Sequence, residues 1–110
     1  MARCDFKAGA LLAPLPAVMV SVRHGDENNI ITIGWCGILS TDPPRAYISV
    51  RPQRHSYEMI KATGEFVINL TTEKLARETD YAGIYTGAKV DKFKKCGLTP
   101  IELRFCTKGT

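Results

Sequence analysis

A mainly β domain, an antiparallel sheet or barrel carrying short inserted helices, is predicted by three features of this 110-residue sequence. Runs rich in Val, Ile and Thr alternate apolar and polar side chains, as half-buried strands do. The helical candidates are short, each closed by a glycine and two of them preceded by a hydroxyl that can cap them. The strands are joined by hairpin-like turns rather than by regular strand–helix–strand units, which argues against a doubly wound fold.

In chain order, residues 17–23 form the first strand, with Val18, Val20 and Val22 on one face. The polar stretch HGDENN (24–29) makes a hairpin turn. A second strand covers 30–38, with Ile31, Ile33 and Trp35 on one face and Thr32, Gly34 and Cys36 on the other. That second face is small and polar, so a flat group can lie against it. STDPPR (40–45) is a turn stiffened by two prolines, and 46–50 is the third strand, with Ala46, Ile48 and Val50 opposite Tyr47 and Ser49. Ser56 is placed as the N-cap of a helix reaching Thr63, with Gly64 closing it. EFVINL (65–70) is the fourth strand. Thr72 caps a second helix that ends at Gly83, and 84–90 is a glycine-containing loop. Residues 91–96 make a helical turn stopped by Gly97, and 99–105 form one more strand.

A chain of this length is a single domain, taken here as 1–110, and its 45% hydrophobic content suffices for a small core. Pro14 and Pro16 interrupt the apolar N-terminal stretch, which fits neither a bilayer span nor a secretory signal. The expectation is a cytoplasmic protein without a membrane partner. The four cysteines, at 4, 36, 96 and 106, form no CxxC and no metal-ligand pattern with the two histidines, so they read as reduced thiols with no metal site. The net charge of +4 favours an anionic ligand. Basic residues are scattered and are not interleaved with surface aromatics, which ranks nucleic-acid binding low.

Two stretches can carry chemistry. SVRPQRHSYEMI brings Arg51, Arg54, Ser56 and Tyr57 to the start of a helix, where free N–H groups and the helix dipole attract anions and arginine offers forked donors for phosphate. On this stretch alone, a solvated strand end with an ordinary cap explains the pattern as well. TGAKVDKF pairs backbone approach at Thr86 and Gly87 with positive charge at Lys89 and Lys92, without the glycine spacing of a P-loop. No GxSxG elbow and no paired acid–base arrangement is present, so no residue is assigned as catalytic. Such residues hold an anionic ligand, and any redox chemistry falls to a bound cofactor.

The stretches PLPAVMVSV, NNIITIGWCGILSTDPPRAYISVRPQRHSYEMI, GEFVINL and TGAKVDKFKKCGLTP, in that order, resemble the flavoredoxin branch of the flavin reductase-like FMN-binding proteins over residues 12–100. The resemblance implies a Greek-key split β-barrel that binds FMN and forms homodimers with flavin sites near the subunit interface. It sets Asn29, Thr32, Gly34, Trp35 and Cys36 along the isoalloxazine ring. It sets Arg51, Arg54, Ser56 and Tyr57, with Ser49 on the strand leading to them, by the phosphate and ribityl chain. Asn69 lies close to the flavin, and Thr86, Gly87 and Lys92 complete the site, Thr86 standing where serine is common. The implied activity is FMN-dependent oxidoreduction with a small-molecule or protein donor and acceptor. Without a GxGxxG fingerprint, NADH or NADPH binds only transiently over the flavin. IELRFCTKGT (101–110) does not match, which leads to the expectation of a domain limited to the N-terminal portion of the family, with its barrel incomplete. A flavin carrier without turnover and a truncated, nonfunctional fragment are the alternatives.

Overall fold

A computed structural model describes residues 2–101. It is mainly β with short helices: β1 (Val18–His24), β2 (Glu27–Ile33), β3 (Cys36–Thr41), β4 (Pro44–Ile48), α1 (His55–Thr63), β5 (Val67–Leu70), a 3-10 turn (Glu73–Leu75), α2 (Ala76–Ile84) and α3 (Lys92–Cys96). All strand pairs are antiparallel. They form two hydrogen-bonded sheets, a three-stranded one in the order β2-β1-β5 and a two-stranded ribbon of β3 and β4.

The hairpin between β1 and β2 is tighter than expected. Pairing continues to His24 opposite Glu27, so the turn is Gly25–Asp26 alone. Gly25 takes a φ of +62°, the conformation that lets a two-residue connection follow the strand twist. The polar letters of HGDENN mislead because Asn28 and Asn29 belong to the ladder, and Asn29 is buried.

The strand expected over 30–38 divides at Gly34–Trp35, and its halves enter different sheets. This removes the continuous small polar face. Thr32 looks toward α2, its hydroxyl donating to the Thr79 carbonyl. Cys36 begins β3 and packs against the opposite apolar cluster. The expected proline turn is also shorter, since β3 runs to Thr41 and β4 begins at Pro44.

The three-stranded sheet is covered on both sides. One face buries Val18, Val20, Ile31 and Ile33, backed by Cys36, Ile48, Val50, Phe66 and Ile68. The other buries Met19 and Ile30 against Ala82 of α2, with Leu75, Phe93 and Leu98 around them. Burying one such aliphatic side chain contributes roughly 1.5–3 kcal/mol, so the stability of the fold concentrates here.

The helices start and stop for reasons only partly anticipated. Arg54, not Ser56, is the N-cap residue of α1, and no side chain caps it. Gly64 closes α1 with φ 68°, its N–H reaching the Ile60 carbonyl at 2.7 Å. Thr72 precedes the 3-10 turn without a side-chain cap, and α2 continues through Gly83 to Ile84. Asp91 caps α3 by accepting from the Lys94 N–H at 3.2 Å, and Gly97 closes it. Residues 99–101 form no strand, and the remainder of the last expected strand lies outside the described residues.

Candidate functional site

Three polar or charged residues are buried among the described residues: Asn29 at 3% exposure, Ser56 at 0% and Lys92 at 3%. All three belong to the site set expected from the sequence. They arrive from β2, α1 and α3: Asn29 on edge strand β2 bonds to Ser56 of α1, and Lys92 of α3 reaches the end of α2.

Ser56 sits in the first turn of α1, turned inward. Its hydroxyl accepts from the Asn29 amide nitrogen at 2.7 Å. The other side of that amide is pressed by the 84–91 loop: a Cβ added at Gly87 would lie 2.2 Å from Asn29 Oδ1. Only a residue without a side chain can pass there unless the backbone moves. Thr86 shapes the same loop, its carbonyl accepting from the Lys89 N–H at 3.1 Å and its hydroxyl from the Ala88 N–H at 3.3 Å.

Beside this polar node two cations close on the end of α2. Lys92 Nζ donates to the Ala82 carbonyl at 2.8 Å. Arg54 donates to the next carbonyl, Gly83, at 3.4 Å. Both interactions satisfy carbonyls that a helix C-terminus leaves unpaired. Neither cation ion-pairs with a carboxylate among the described residues. Burial pulls the Lys92 ammonium from its usual 10.5 down to about 8, the Arg54 guanidinium pushes the same way, and Cys96 opposes them. Cys96 is itself raised, first by burial and then by Glu78, with Lys92 opposing.

The first turn of α1 lies at the same place. The Arg54 N–H donates to the Arg51 carbonyl at 3.0 Å, and the Tyr57 N–H to the Arg54 carbonyl at 3.1 Å. Arg51 is exposed, and Tyr57 is half-buried. The structure therefore brings Asn29, Ser56 and Gly87 together and sets Arg54 beside Lys92 at the end of α2, with Thr32 packed against Gly83. Two clefts flank the cluster. One, of about 610 Å³, includes Asn28, Gly87, Lys89 and Phe93; the other, of about 560 Å³, includes Thr32, Thr79 and Gly83.

Other expected residues stand apart from this cluster. Gly34 and the exposed Trp35 form the joint between sheet and ribbon, where the Ser49 N–H donates to the Trp35 carbonyl at 2.8 Å. Asn69 is on β5, at the far side of β1, and its amide donates to the Met19 carbonyl at 3.0 Å and the Ser21 hydroxyl at 3.1 Å. The cysteines at 4, 36 and 96 are free thiols.

Two contributors were not legible in advance. Gly83 reads as a helix terminator but lies inside α2, where a Cβ would sit 3.3 Å from Thr32 Cβ; the small pair Ala82–Gly83 was the available signal for close approach to β2. His55 reads as a surface histidine, yet its Nε2 bonds to Glu27 and ties the start of α1 to the hairpin. Their separation of 28 residues hides that contact from any local pattern.

Comparison with known proteins places the chain in a family and matches its fold to solved structures. Residues 11–108 match the family model for the flavin reductase like domain, beyond the Pro100 at which the recognised motifs end. An uncharacterized protein of Pyrococcus abyssi is 33% identical over 94 residues, covering 86% of this chain and 54% of its own length. Flavoredoxin of Desulfovibrio vulgaris (Miyazaki F) superposes with a TM-score of 0.87 at 34% identity, over 94% of this chain and 57% of that one. An FMN-binding domain of a flavin reductases-like enzyme from Shewanella baltica OS155 superposes with a TM-score of 0.76 at 28% identity, over 80% of this chain and 47% of that one. The chain thus spans about half the length of the relatives it matches.

Proposed function

We propose that this chain, which belongs to the flavin reductase-like domain family, binds FMN and serves as an oxidoreductase of flavin reductase or flavoredoxin type. The observation that carries the reading is the pair Arg54 and Lys92: two neighbouring cations, one of them buried, held by carbonyls and by no carboxylate. Burying a lysine without a counter-charge is unfavourable unless a ligand supplies the charge. A phosphate monoester, carrying about −1.5 to −2 charge at pH 7, suits that pair.

Arg51, Arg54 and the uncapped first turn of α1 hold the phosphate in this reading, and the buried Asn29–Ser56 pair supports that turn beneath the ribityl chain. Gly34 and Trp35 line the ring, with Ser49 and Tyr57 beside them, while Cys36 packs into the core behind. Thr86, Gly87 and Lys92 close the site. Thr32 and Asn69 act mainly as supports, since their donors are already committed to Thr79 and to β1. The bound flavin supplies electron or hydride transfer, with NADH, NADPH or a protein as donor. The likeness to a flavoredoxin from Desulfovibrio and an FMN-binding domain from Shewanella supports the cofactor assignment.

The exposed ribbon supports a homodimer built as a split barrel, because Ile38, Leu39 and Tyr47 are 80%, 65% and 42% exposed. A cytoplasmic location is part of the same reading; no helix among the described residues is long and apolar enough to cross a membrane.

The test is FMN titration of the purified protein, followed by flavin absorbance and calorimetry. Binding in the micromolar range is expected. Replacing Arg51 and Arg54 together by alanine is expected to weaken FMN at least tenfold with little change in thermal stability. Lack of binding at tens of micromolar FMN overturns the proposal. Tight FMN binding without NADH or NADPH oxidation selects a carrier over an enzyme.

A further inference from the structure

We infer that the protonation state of Lys92 controls anion affinity at this site, so that FMN is held at neutral pH and released as the medium turns mildly alkaline. The inference rests on the FMN reading above and adds its regulation.

Lys92 is placed for this role by its surroundings. Its ammonium is buried, with the Ala82 carbonyl at 2.8 Å as its protein partner. A neutral amine can still donate to that carbonyl, so losing the proton leaves the α2–α3 joint in place. What is lost is the positive charge facing Arg54. The groups around it do not compensate. Arg54, leading into α1, repels the ammonium, and on α3 itself Cys96 is the favourable neighbour. Glu78 of α2 acts on Cys96. On β2, Asn29 is neutral and bonded to Ser56, while Glu27 is engaged by His55. Desolvation and Arg54 bring the proton's release to about pH 8, within the range a cell or a buffer reaches. A dianion placed against Lys92 and Arg54 reverses both influences and draws the proton back. Anion binding and proton uptake at Lys92 are then the same event viewed from two sides.

The test measures FMN dissociation constants from pH 7 to 9 by calorimetry, in two buffers of different ionisation enthalpy. The phosphate of FMN stays fully charged through this range, its second pKa being about 6. Roughly tenfold weaker binding at pH 9 than at pH 7 is expected, since only about one free Lys92 in ten keeps its proton there. Net proton uptake on binding should peak between pH 8 and 9. Lys92→Met should bind weakly, with little pH dependence. A carbon NMR titration of the Lys92 ε-methylene in the free wild-type protein should show a midpoint near 8. A flat dissociation constant in the wild type, an unchanged slope in Lys92→Met, or an NMR midpoint above 10 overturns this inference while leaving FMN binding intact. Failure to bind FMN at pH 7 removes the parent reading and this one with it.

Discussion

β1 and the ribbon β3–β4 are both paired in antiparallel ladders, yet they meet solvent very differently. Val20 in β1 has a strand on either side, Ile31 and Phe66 among its apolar neighbours, and no exposure at all. Ile38 in β3 pairs with Ala46 and is otherwise open to water. The ribbon is held chiefly by its own ladder, and an isolated two-stranded ribbon is marginal in water. The buried polar node lies on the covered side, along β2, where neighbouring helices can fix it. Packing therefore separates a region that sets stability and fixes the polar node from one that leaves apolar side chains exposed.

The largest effect should come from a charge in the covered region. Val20→Asp buries an unpaired carboxylate and is expected to cost more than about 4 kcal/mol, removing cooperative unfolding in circular dichroism. Retention of a sharp thermal transition within a few degrees of wild type would show that the sheet is not the stabilising unit.

Lys92 provides the next effect, with a definite sign. Its folded pKa of about 8 lies below its ordinary 10.5. Between those values the unfolded chain still binds a proton that the folded chain has released, so this group makes stability rise with pH. The gain starts near pH 8, is complete near 10.5, and amounts to roughly 3 kcal/mol. Urea denaturation of wild type and Lys92→Met across this window isolates it: the wild type should gain on the variant as pH increases, and parallel curves contradict the assignment. If FMN binds as proposed, stability and FMN affinity should move oppositely with alkalinity.

Gly87→Ala should cost about 1–3 kcal/mol, because the new methyl overlaps the Asn29 amide and the loop must shift. FMN affinity should fall with it. An unchanged melting temperature and unchanged affinity would show that the loop does not rest on Asn29 in solution. Ile38→Ser, on the ribbon, should change monomer stability by no more than about 0.5 kcal/mol. A substantially larger loss, or a change in sedimentation, would show that the ribbon is covered in solution by another copy of the chain.

Local chemistry made the covered strands and α3 legible. Valines at alternate positions mark β1, and Asp91 with Gly97 brackets α3, since both signals act within a few residues. The split at Gly34–Trp35 was not legible, because alternation continues unbroken through a change of sheet. The sequence assigns Ser56 to the helix cap, and the structure gives that position to Arg54. A serine near a helix start suits a cap, and only its partner Asn29, 27 residues away, turns the hydroxyl inward.

The sequence by itself determined the mainly β character, the short helices and the membership of Asn29, Arg54, Ser56, Gly87 and Lys92 in one set of motifs. These follow from periodicity, turn chemistry and ordered resemblance, all of which are written along the chain. The tertiary structure decided which of them meet. It placed the end of α2 where its last carbonyls hold Lys92 and Arg54 side by side, and it closed Gly87 onto Asn29. The depressed Lys92 proton affinity belongs wholly to that level, because desolvation and a neighbouring guanidinium arise only when distant segments pack.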